Sequence, residues 1–401
     1  MVLLAFVFAL IPMMATDAAG INMEAIPTIR LEEGWNSNVY DTSTNEVSSF
    51  GTRLTPGLAL RFTSPDNVML QISGNYEMLR YYDSKAKDAD SNTWFIRIDS
   101  TGGWALTPTL SLTPSVYYLN TTDSSRRTQL VPSGDLVLPP VTITNYGNTN
   151  TEDFGGAVNF TYLATQNVTI GVNGNYSEQR FNDSTAGSGL TNSTTIGGNA
   201  SVSYQFSPRT SLGVLAAGNH QTYENAPDSD TLSGGILFGY QFSPALHLDG
   251  AFGWSYIRQS EAPGIPEQKT SAPSGLFNLS YTSETFTANV YGSAVYSGGS
   301  GYGQATRQWT AGLGFSDQFT REWSWNLGGT YQVSKSVFTT DAVNLNTIFG
   351  TAGLSYRPWE WGSFNLTGNL NRQTSDGQLG ENLNTYSALL GFTIGKSYKI
   401  F

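Results

Sequence analysis

Ser203-Tyr204-Gln205-Phe206-Ser207-Pro208 and Gly239-Tyr240-Gln241-Phe242-Ser243-Pro244 are almost the same hairpin corner. Each lies between two runs in which apolar and polar residues alternate. Period two puts successive side chains on opposite faces of a strand. Related corners recur at Ser64-Pro65, Thr107-Pro108, Thr165-Gln166, Ser283, Thr320-Arg321 and Arg357-Pro358. The spacing runs from 36 residues (Pro208 to Pro244) to 43 (Pro65 to Pro108) and is broken once by an insertion. A two-strand unit repeated in this way predicts one closed antiparallel sheet of hairpins.

Composition points the same way. Only 13% of the 401 residues are charged, against 39% hydrophobic, whereas soluble domains average about 25% charged. Abundant aromatics and small polar residues fit a wall with lipid on one face and water on the other. The chain has no cysteine, which excludes a disulfide framework and a thiolate metal site and suits an oxidising compartment. No cofactor is expected. Val2 to Met14 is apolar but too short to span a bilayer as a helix. With Thr16-Asp17-Ala18 as a cleavage site before Ala19, the expectation is a signal peptide over 1–18 and a barrel over 19–401; a buried N-terminal helix is the other reading.

Along the chain, Phe286, Ala288, Val290, Ala294 and Tyr296 alternate with Thr287, Asn289, Tyr291 and Ser293. Trp323, Trp325, Leu327, Tyr331 and Val333 alternate with Ser324, Asn326, Thr330 and Gln332. Counting such runs from Ile26 to Ile400 predicts an all-β, transmembrane, antiparallel up-and-down β-barrel of about eighteen strands, with sixteen as the alternative. Pro-marked turns are short and read as periplasmic; the opposite connections are longer and rich in Asp, Asn, Ser and Gly. Tyr204 and Phe206, Tyr240 and Phe242, Trp323 and Trp325, and Trp359 and Trp361 sit beside the short turns, as an aromatic girdle would. The close at Gly395, Tyr398, Ile400 and Phe401 is similar to the C-terminal signal of outer-membrane barrels.

The first two hairpins carry Glu32-Glu33-Gly34-Trp35-Asn36-Ser37-Asn38-Val39-Tyr40, then Arg53-Leu54-Thr55-Pro56-Gly57-Leu58-Ala59-Leu60, then Tyr81-Tyr82-Asp83. This block resembles the opening of the β-barrel porin type 2 family. The resemblance implies porin-like or export-associated roles.

Two places depart from the repeat. The strand parity points Arg30, Glu32, Arg53, Arg61, Glu77, Arg97 and Asp99 into the lumen as pore-lining charges. Later strands present Asn159, Thr161, Asn173, Asn175, Asn199, Ser201, Gln205, Gln241, Asn289, Asn326, Asn365 and Asn369. The charges either set up a transverse field that orients polar solutes or pair across strands and brace the wall. The second departure is a long third external loop over 120–152, with Arg126, Arg127 and Asp135 beside a Pro-rich apolar centre. Its centre suits packing against the inner wall as a constriction, against a neighbouring subunit or against a partner. His220 and His247 fall on different faces, with no spacing that suggests a catalytic triad, so an enzyme is not expected.

The expected function is passive diffusion of small polar solutes through an outer-membrane channel. The other class is a conduit sheathing a polysaccharide chain or a multihaem cytochrome. Expected partners are outer-membrane lipid and lipopolysaccharide, the solutes, and either a second copy of the chain in a homo-oligomer or such a guest. The acidic balance (net charge -11) and the strand pattern give no nucleic-acid surface.

Overall fold

The computed structural model describes residues 22–64, 69–101, 104–122, 149–182, 190–261, 265–297, 302–303, 305–338 and 342–400. Each alternating run becomes a strand: β1 (Asn22–Asn36), β2 (Ser49–Thr63), β3 (Met69–Tyr81), β4 (Ser91–Thr101, resumed over Trp104–Thr107), β5 (Leu110–Thr121) and β6 (Thr151–Thr165). Next come β7 (Val168–Phe181), β8 (Ser193–Ser207), β9 (Thr210–Tyr223), β10 (Ser229–Gln241), β11 (Leu246–Gln259) and β12 (Gln268–Thr282). The ring ends with β13 (Phe286–Ser297), β14 (Thr306–Asp317), β15 (Trp323–Ser336), β16 (Asn344–Trp359), β17 (Gly362–Ser375) and β18 (Leu383–Gly395). A last pair of residues, Tyr398–Lys399, lies against β1.

Every strand pairs antiparallel with its sequence neighbour. β1 pairs with both β2 (Glu32 opposite Arg53) and β18 (Glu32 opposite Gly391), so the sheet of eighteen strands closes. Closure leaves no edge whose N–H and C=O groups would be stranded in lipid. No described helix is long and apolar enough to cross a membrane; the strands make the crossing.

The usual burial order is inverted. On β11, Phe252 is 66% exposed on the outer face while Ser255 is 1% exposed on the inner one. The outward row on β15 runs from Trp323 through Leu327 and Tyr331 to Val333. Ten residues at roughly 3.3 Å each, tilted about 40°, span about 25 Å of bilayer, the height of the apolar band of outer-membrane barrels. Aromatic pairs mark its lower rim: Trp359 stacks on Trp361 with centroids 5.1 Å apart, and Trp323 on Tyr356 at 4.5 Å.

The third external loop is shorter than the alternation suggests. Asn120 and Thr121 still belong to β5, opposite Glu152 and Thr151 of β6, because the ladder continues above the lipid band. Arg126, Arg127, Asp135 and the residues 1–18 lie outside the described residues.

External loops fold over the mouth. Val39 of loop 1 (37–48) packs with Leu79, Tyr81, and Ala86 and Ala89 of a short turn over Ser84–Ala89. Across the barrel, Phe181 of β7 and Leu345 of β16 join one apolar cluster with Tyr302 and Val343, and Leu190 and Leu379 pack against it. Strands seven and sixteen are half a turn apart in a ring of eighteen, so this cluster bridges the mouth.

Candidate functional site: the lumen wall

The inner face of β1–β4 carries four arginines and four carboxylates, set by the register that aligns Glu24 with Arg61 and Glu32 with Arg53. Arg30, Glu32, Arg53, Arg61, Glu77, Arg97 and Asp99 share the face opposite the exposed Ile29, Leu31, Trp94 and Ile96, and each has an ionic partner. Glu32 is 1% exposed; its Oε1 lies 2.6 Å from Arg30 and its Oε2 3.7 Å from Arg53. Arg53 also reaches Glu77 at 3.1 Å. Lower down, Arg61 pairs with Glu24 at 3.6 Å and Arg97 with Asp99 at 2.7 Å. Such a chain braces neighbouring strands. Removing one member strands its partner in a poorly hydrated wall, which costs more than the pair contributes.

The β7–β9 wall has the opposite chemistry. Its inward rows contain Asn173, Asn175, Asn199 and Asn219 among serines, threonines and glycines, with no charge. Asn173 donates to Asn159 of β6, and Asn199 donates to Asn173 at 3.4 Å. Gly197 leaves the space that Asn219 and Asn175 fill: a Cβ there would run into Asn219 Oδ1. Thr161, Ser201, Gln205, Gln241, Asn289, Asn326, Asn365 and Asn369 share the inward parity on their strands.

Besides Glu24, two further acids on the inner face lie outside the seven charges assigned by strand parity. Asp153 of β6 is 3% exposed, opposite Leu119 and Gln179. Asp249 of β11 lies 3.4 Å from His247 on the same face. Both obey the period-two rule, so extending the inward row of Gly155, Ala157 and Asn159 by one step reaches Asp153. His220 faces outward and does have a carboxylate, Asp230 at 2.7 Å. Sequence spacing hides that pair because register, with His220 opposite Asp230, creates it. Among the described residues no three His, Asp or Glu side chains cluster as metal ligands.

Loop 1 enters the lumen beside the charged wall. Ser37 N–H donates to Tyr386 O at 2.9 Å, and Thr385 Oγ1 donates to Asp41 Oδ1 at 2.5 Å, tying the loop to β18. Below it lies a cavity of about 250 Å³ lined from β1–β4 and β16–β18.

No family model matches the chain, and no curated protein matches it. Among solved structures it is similar to OpdK of Pseudomonas aeruginosa with vanillate, at 11% identity and a TM-score of 0.46 over 93% of this chain and 99% of that one. OccAB4 of Acinetobacter baumannii gives 8%, 0.48, 95% and 99%, and OccK2 (OpdF) of Pseudomonas aeruginosa in complex with glucuronate gives 12%, 0.46, 94% and 98%.

Proposed function

We propose that this protein is a porin-like channel of the bacterial outer membrane, passing small polar solutes by passive diffusion. The observation that carries this reading is the inverted, closed ring: eighteen strands, apolar outward and polar inward. A ring of that size is wide enough to hold water. Arg30, Glu32, Arg53, Arg61, Glu77, Arg97 and Asp99 line the path, and their matched charges suit a passage that neither traps nor repels one sign of ion. Membership of the β-barrel porin type 2 family, a leader over 1–18 and contacts with lipopolysaccharide belong to the same proposal.

In planar bilayers the purified barrel gives stable ohmic steps. An intact barrel that gives none overturns the channel. Arg126, Arg127 and Asp135 belong to the proposed constriction in the third loop; deleting Pro132 to Pro140 then raises conductance, and an unchanged value refutes inward folding. A conduit for a polysaccharide or a multihaem cytochrome needs an open bore. The apolar cluster bridging the mouth stands against that alternative.

A further inference from the structure

We propose that the cavity beneath loop 1 is a binding subsite for a neutral, polyhydroxylated solute, a sugar or polyol. The proposal rests on the channel reading above and names its solute class.

Its volume, about 250 Å³, would hold about eight waters at roughly 30 Å³ each, or one solute of hexose size. The polar lining is made of groups that both donate and accept: Asn36, Asn369, Asn371, Thr351, Thr385 and Ser387. Sugar hydroxyls have the same dual character. Phe349 and Tyr81 add apolar surface for the C–H faces of a ring.

Asn371 supplies the observation that points to a ligand. The residue is 8% exposed, borders the cavity, and its Oδ1 has no hydrogen-bond partner. A buried acceptor without a donor is costly, and a turn of the Asn371 side chain would bring that oxygen to a hydroxyl in the cavity.

Charge excludes the other classes. Arg30 and Arg53 reach the cavity, but Glu32 and Glu77 already hold their guanidinium groups. Asp41, on the roof, opposes an anion. An entering carboxylate finds no unmatched cation, and an apolar solute leaves the Asn371 oxygen dry. The roof is built to stay: besides the Asp41 bond, Tyr386 N–H donates to Ser37 Oγ at 2.8 Å.

The test is single-channel recording with glucose or gluconate added to the bath, for the full-length protein and the Asn371→Leu variant. Glucose is expected to reduce or modulate the current at concentrations where gluconate does not. Asn371→Leu should weaken the glucose effect about tenfold, measured relative to that variant's own conductance in salt alone. Phe349→Ala, which removes apolar surface opposite Asn371, should weaken it severalfold and serves if Asn371→Leu does not fold. Equal glucose responses in wild type and both variants, or stronger binding of gluconate, overturn the subsite. A barrel that never conducts counts against the channel reading instead, and a conducting barrel blind to glucose counts against the subsite alone.

Discussion

The β1–β4 and β7–β9 walls enclose the same water, yet they are built on different constraints. On β1–β4 four arginines and four carboxylates neutralise one another, and the limit on substitution is electrostatic. On β7–β9 asparagines and glycines fit side by side without charge, and the limit is steric. One lumen therefore has a wall sensitive to partner removal and a wall sensitive to added volume.

The largest expected effect comes from Glu32→Ala. It leaves Arg30 and Arg53 without their shared partner in a site where Glu32 is 1% exposed. Urea unfolding in lipid vesicles should show a loss of about 3–5 kcal/mol. A negligible loss would break the view of this wall as an ionic brace. Gly213→Ala on β9 comes next, because its Cβ would fall 2.5 Å from the Val202 carbonyl oxygen and 2.9 Å from Ser203 Cα. Backbone cannot swing aside, so the cost should be about 1–3 kcal/mol. Gly197→Ala should cost less despite its shorter contact, since the Asn219 amide can rotate away. The reverse order would refute the steric account.

Thr385→Val removes the hydroxyl that holds Asp41 and should loosen loop 1. Conductance should rise with little change in unfolding; unchanged conductance would mean that loop 1 does not narrow the path. The smallest effect belongs to Glu267, on the external rim. Lys269, and then Arg258, hold its carboxyl below the usual carboxylate range. With the folded value below the unfolded one, any stabilisation is present at neutral pH and fades as pH falls through the lowered value. The group lies on the solvent-exposed rim, so Glu267→Gln should leave unfolding unchanged at about 0.15 M salt. A clear pH-dependent difference would show this surface pair to be stronger than its exposure implies.

Most of the fold was legible because period two and Pro-marked corners are local signals. Pro208 and Pro244 mark the corners, and the period-two alternation between such corners can be read strand by strand. What stayed hidden depends on closure. Phe181 and Leu345 are far apart in the chain, and only a closed ring sets them opposite each other. His220 meets Asp230 through register. Loop 1 carries no turn signature that announces inward folding; Asp41 instead adopts a left-handed backbone (φ 49°) and reaches Thr385 near the end of the chain. The pairing of Asn120 and Thr121 with Glu152 and Thr151 stays hidden because the β5–β6 ladder rises past the lipid band, where alternation no longer has an apolar face to report.

The balance of charge on β1–β4, with Asp153 and Asp249 as inward acids elsewhere, is tested most directly by the reversal potential of single channels under a potassium chloride gradient. A passive, nearly balanced lumen predicts ohmic current with modest preference for potassium. Absence of current from an intact barrel, or strong preference for chloride, would contradict it.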